Sequence, residues 1–168
     1  MGSRVSWASL LRSLFGGAAP TWRPGDQVWY GTDAWTIRAV LIESGGRRQW
    51  PTLQIECGSE TAWMSVEGDQ VVRYDPLPDV RVDADGRASW NGHTYTCTDR
   101  GSYAVVSVAG EVNAAVGDSA EYTTLTSADD PERWISVERW EGGPTEVSAA
   151  RPWRIDRVAH SPTPRTPS

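Results

Sequence analysis

The sequence has no lysine, one Phe, and only two each of Cys, His and Met. The scarcity of Cys and His excludes most metal chemistry. A structural zinc site takes four ligands, and Cys57, Cys97, His93 and His160 would all have to converge to make one, so no metal or other cofactor is expected. The same scarcity excludes a disulfide framework. Cys57 and Cys97 read as buried free thiols in a reducing cytoplasm, with a single bridge between them left open. No stretch approaches the ~20 apolar residues of a membrane span. The first residues lack the apolar core and small-residue cleavage site of a secretory signal, so a cytoplasmic chain is expected. Arg without Lys is what GC-rich coding produces, as in actinobacterial genes.

Charge is unevenly placed within a net of −6. Residues 1–25 carry Arg4, Arg12 and Arg23 with no acid, and residues 151–168 carry four Arg against Asp156. Acids dominate between them. An acidic body with basic ends does not supply the basic stripe that a nucleic-acid groove needs, so no nucleic-acid partner is expected. What the chain has in abundance is tryptophan, ten residues. The core is therefore expected to be built from a few large rings whose N–H groups need acceptors when buried.

Residues 3–15, "SRVSWASLLRSLF", predict a short amphipathic helix. Trp7, Leu10, Leu11 and Leu14 fall on one face at helical spacing, and "GGAAP" at 16–20 stops the helix in a flexible joint. A basic Trp/Leu helix on such a joint suits a membrane surface, or equally a docking face for its own domain or a partner protein. From Gln27 the periodicity changes to two. "QVWYG", "AWTIRAVLIE", "WPTLQIEC", "TAWMSV" and "QVVRY" read as strands. In the second of these Trp35, Ile37, Ala39 and Leu41 are expected to share a face, and "ESGGRR" at 43–48 to be a solvated hairpin loop. Pro76 and Pro78 mark an internal boundary. "DVRVD", "SWNGHTYTCTD", "YAVVSVAG", "AEYTTLTSA", "ERWISVERW" and "WRIDRV" form a second strand series. "DADG" at 83–86 lacks the spacing of a calcium loop and predicts a turn. The end, 159–168, predicts a disordered tail.

The two series match each other. "WYGTDAWTI" at 29–37 aligns with "WNGHTYTC" at 90–97, "WPTL" at 50–53 with "YTTL" at 122–125, and "WMSVE" at 63–67 with "WISVE" at 134–138. The order is the same and the spacing nearly so. This predicts an all-β domain over 21–158, made of two related antiparallel meanders, about 21–76 and 79–158. They would form a pseudo-twofold barrel or sandwich in which each half covers the other's open side. In the repeated motif Trp and Ser share one face and Met/Ile and Val the other. Glu67 and Glu138 end their strands.

Chemistry is sparse. Ser65 and Ser136 have no evident His partner, so no Ser/His/Asp triad is expected. "YGTDAW" lacks the Gly density and Lys of a phosphate loop. The candidate ligand-binding residues are Glu67, Glu138, Trp63 and Trp134, which could form a cage for a cation if the two motifs meet. No catalytic residue is nominated.

The segments "PGDQVWYGTDAWTI", "WPTLQIE", "AWMSVE" and "ERWISVERWEG" resemble the bacterial domain of unknown function numbered 4178, over roughly residues 23–157. The resemblance implies no catalytic residues. Genes of such domains tend to sit near those of small membrane proteins, phage-shock-like envelope-stress proteins and a spermidine-synthase-like protein, so the resemblance implies a membrane-associated partner system. Two expectations follow. The first is a non-enzymatic binding or scaffold module with a protein partner, placed in the cytoplasm or peripherally at the inner membrane face. The alternative is a domain that binds a small cationic, polyamine-like ligand.

Overall fold

A computed structural model describes residues 21–67 and 70–161. The helix expected over 3–15, with Trp7, Leu10, Leu11 and Leu14, lies outside the described residues. Among the described residues there is no helix. The described residues form eleven strands: β1 (Gln27–Tyr30), β2 (Asp33–Gly45), β3 (Arg48–Cys57), β4 (Glu60–Glu67), β5 (Gln70–Pro76), β6 (Arg87–Trp90), β7 (His93–Gly110), β8 (Ser119–Ser127), β9 (Asp130–Trp140), β10 (Thr145–Pro152) and β11 (Arg157–Ala159).

The all-β reading holds, and of barrel and sandwich the protein is a barrel. β2 to β5 form one meander and β7 to β10 another. β5 pairs with β10, and the second half of β2 pairs with the second half of β7. These two seams close an eight-stranded antiparallel ring with no free edge. β1 continues from the first half of β2 and carries β11 on its outer side, while β6 continues from the first half of β7.

Two bulges decide which side chains face inward. The β2–β3 register slips between Ile37 and Ala39, and the β7–β8 register slips between Cys97 and Asp99. A bulge inserts one residue and inverts the alternation beyond it. Trp35 and Ile37 therefore share their face with Val40 and Ile42, which pack in one apolar cluster, and not with Ala39 and Leu41 as strict alternation predicts. Leu41 and Glu43 turn to the opposite side.

Apolar packing lies on the faces of the strands turned away from the ring's interior. One cluster combines Leu53, Ile55, Met64 and Val71 with Trp22, Trp153 and Ile155 from the segments flanking the barrel. The other combines Tyr95, Leu125 and Ile135 with Leu77, Val80 and Val82 of the β5–β6 connection. "DVRVD" forms no full strand. Only Val82 bridges to Ala88, because Pro76 and Pro78 cannot donate to a ladder and Val80 and Val82 serve as a cover for the second cluster. Asp83 accepts hydrogen bonds from the backbone N–H of Asp85 and Arg87 at 2.9 Å each, which makes the expected turn.

β10 is a strand that propensity does not suggest. "TEVSAARP" is poor in aromatic and β-branched residues, yet it is paired on both sides, to β9 and β5, and tertiary pairing overrides local preference. The chain is also ordered past the expected limit at 158. β11 runs to Ala159, and the fully buried Asp26 accepts the Ser161 N–H at 2.9 Å and lies 3.0 Å from His160 Nδ1. Cys57 and Cys97 are free and half-buried.

Candidate functional site

The interior of the ring is a cavity of about 690 Å³. All eight barrel strands line it, so it is the barrel lumen. Its size is that of a small-molecule site, and its lining is not apolar. Among the described residues, five carboxylates, Glu43, Glu67, Asp99, Glu138 and Glu146, face one cation, Arg48, which is exposed at the start of β3. Four Trp and three Tyr stand between them.

The repeated motif contributes twice to this lining. Trp63, Ser65 and Glu67 come from β4, and Trp134, Ser136 and Glu138 from β9. Met64 and Ile135 pack in the apolar clusters on the other face, as the alternation within the motif predicts. Glu67 ends β4, but β9 continues to Trp140. So Glu138 is not a strand end, and it sits half-buried inside the lumen.

Three carboxylates of the lumen are each held by an aromatic donor. Glu43 stands opposite Trp50 in the β2–β3 register. Its Oε2 accepts from Trp50 Nε1 and from Thr52 Oγ1, both at 2.8 Å. Tyr103 donates to Glu138, and Trp140 Nε1 donates to Glu146 at 3.2 Å. Trp50, Tyr103 and Trp140 touch edge to face, with centroids 6.0 and 5.7 Å apart. The rings thus form one rigid row that positions three carboxylates. Glu67 accepts from Ser65 at 3.0 Å and lies 3.4 Å from the Tyr74 hydroxyl.

The electrostatics of the lumen are unfavourable as they stand. Burial raises Glu43 from 4.5 to about 7, against the lowering effect of its bonds to Thr52 and Trp50, and Glu67 raises it further. Burial likewise raises Glu138 to about 7, with Glu43 and Glu146 adding to the rise. Burial also pushes the Tyr74 and Tyr103 hydroxyls well above their ordinary range, so both are neutral donors. Glu138 and Glu146 are direct cross-strand partners, a placement in which like charges repel. Along the β5–β10 seam, Tyr74 pairs with Ala150 and Pro76 with Ser148. Glu67, paired with Gln70, and Glu146 therefore lie toward opposite ends of that seam, and Glu138 stands beside Glu146.

Sequence reasoning placed Glu67, Glu138, Trp63 and Trp134 as candidates, and all four line this one lumen. It missed Glu43, assigned to a solvated loop. Glu43 is only 5% exposed, because β2 extends to Gly45 and the bulge turns its last residues inward. Asp99, Tyr103, Glu146 and Trp140 were also missed. The alignment of Ile37 with Cys97 was a usable signal for Tyr103, since it places Glu43 and Tyr103 at equivalent positions of two strands. Among the described residues no three His, Cys, Asp or Glu groups converge as a metal set.

No curated protein and no solved structure matches the chain. Residues 23–154 match the family described as Domain of unknown function (DUF4178). That span takes in the whole closed ring, both bulges and every carboxylate of the lumen, and the chain belongs to this family.

Proposed function

We propose that the barrel is a non-enzymatic binding module that takes a small organic cation, a linear amine or polyamine, into its lumen. The observation that carries this reading is the charge of the lining, five carboxylates against one exposed Arg in a cavity walled by aromatic rings. A buried carboxylate needs a counter-charge, and an ammonium group gains both from the carboxylates and from the faces of Trp and Tyr. Glu67 and Glu146 lie toward opposite ends of the β5–β10 seam, a spread that favours an elongated ligand with more than one charge. Glu67 and Trp63 would hold one part, and Glu138 and Trp134 the other. Calorimetry of the full chain with spermidine tests it. Heat of binding and a raised melting temperature are expected, and their joint absence would overturn the reading.

The two-halves reading belongs to the same proposal, because it accounts for acids arriving from both sides. The bulges at Ile37/Ala39 and Cys97/Asp99 fall at aligned positions. The left-handed Gly31 and Gly92 (φ 60° and 76°) also align. Under the alignment, Ser44 and Ala104 are equivalent, and they pair with each other at one seam. At the other seam Tyr74 and Ala150, each the partner of an equivalent Trp, also pair with each other. A pseudo-twofold axis through these two pairs would give both features.

A scaffold role with a membrane-associated partner is the second reading. It is favoured by the apolar row Trp7, Leu10, Leu11 and Leu14 beside Arg4 and Arg12, and it places the chain in the cytoplasm near the inner membrane face.

A further inference from the structure

Glu43 is the most enclosed acid of the lumen, and every charged neighbour that faces it from the lining, except the exposed Arg48, is itself an acid. Glu67 faces it from β4 and Glu138 from β9, and both interact with it electrostatically. Asp99 on β7 and Glu146 on β10 complete the acidic lining. Tyr74, Tyr103 and Tyr122, from β5, β7 and β8, offer hydroxyls that carry no charge at neutral pH. Both donors to Glu43 bond the same oxygen, Oε2, so Oε1 takes no hydrogen bond from the described residues. An oxygen in that position can carry a proton in the empty lumen or meet an ammonium in the filled one.

We propose that the lumen exchanges protons for its ligand: a cation enters as Glu43 and Glu138 release their protons to solvent, and acidification expels it. This rests on the cation reading above. Without ligand, the lumen cannot hold both inner glutamates, Glu43 and Glu138, ionised beside three further acids without cost. Protons on the two inner glutamates are the nearest available counter-charge. A ligand ammonium supplies the same charge, so at most two of the ligand's positive charges each displace one proton, and any further charge is met by the outer acids. The raised values of about 7 for both residues agree with this and set the range in which exchange occurs. The three outer acids, Glu67, Asp99 and Glu146, are exposed. They attract a cation to the mouths without taking part in the exchange.

Two measurements on the full chain test the proposal. In the first, carbon NMR follows the glutamate carboxyl signals of the ligand-free protein from about pH 4 to pH 9. Two signals are expected to titrate near pH 7, one lost in Glu43→Gln and the other in Glu138→Gln. If every carboxyl titrates in the ordinary range of about 4 to 5, the exchange is overturned even if amines bind. In the second, calorimetry with spermidine near pH 7 compares buffers of different ionisation heat. Release of about one to two protons per ligand is expected, with affinity falling about tenfold or more between pH 7 and pH 6 by linkage. Binding with buffer-independent heat would overturn the exchange and leave the cation reading standing. No binding of spermidine at any pH would remove both.

Discussion

Replacing Glu43 with Gln removes a charge from the most buried acid of the lumen and keeps its shape. The amide oxygen of Gln accepts the bonds from Trp50 and Thr52 that Oε2 accepts in the native protein, so the fold should persist. Glu43 titrates at about 7 in the folded chain against 4.5 for the free side chain. A group raised in this way favours the folded state when protonated. Its contribution is complete below about pH 4.5 and is lost as pH rises through about 7. A shift of that size corresponds to about 3 kcal/mol, at about 1.4 kcal/mol per pH unit. For a chain of this length it equals roughly 6–12 °C in melting temperature. Urea melts of both proteins at intervals from about pH 5 to pH 8.5 give the measurement. The native protein should lose stability relative to Glu43→Gln across that range, with most of the change between about pH 5 and pH 7 and little above it. Parallel stability curves would refute the argument, because Glu43 would then ionise at no cost to folding. Spermidine at saturation should flatten the native curve and leave that of the variant less changed.

Three further outcomes are expected. Gly101 is the register partner of Tyr122, whose ring lies so close that an added Cβ would sit 2.5 Å from its hydroxyl oxygen. Gly101→Ala should destabilise the barrel by about 1–3 kcal/mol as the ring is forced aside, and unchanged urea melts would count against the packing described. Asp26→Ala should leave the Arg23 and Ser161 N–H groups without their acceptor, at about 1–3 kcal/mol. Faster hydrogen exchange concentrated in β1 and β11 would show it, and uniform exchange would not fit. Full-length protein should co-sediment with anionic liposomes more than a form lacking residues 1–20, and equal, negligible sedimentation would remove the membrane contact.

Much of the wall of the barrel was legible in the sequence, and much of its content was not. Short period-two runs marked β3, β4, β8 and β9, because their lumen and outer faces differ in polarity. The repeated five-residue motif brought Glu67 and Glu138 forward together. Glu43 stayed hidden because one inserted residue, Arg38, reverses the alternation of β2, and nothing in "TIRAV" announces a bulge. β10 stayed hidden because its order comes from two neighbours and not from its own residues. The seams are pairings between distant segments, which no local pattern encodes. Asp26 likewise gains its role only when His160 and Ser161 arrive from the other end of the chain.

The seams also carry a kinetic consequence. Ser44 and Ala104 are 60 residues apart in the chain, and Tyr74 and Ala150 are 76 apart, whereas β2 to β5 and β8 to β10 join through short turns. Loops of that length close late, so each meander can assemble as an open leaf before the two leaves meet. Glu43 and Glu138 remain in water on the open leaves and lose it only when the ring shuts. Proton uptake during refolding should therefore follow the slow closing phase. A jump to alkaline pH should leave the early, leaf-forming phase unchanged and retard the last one.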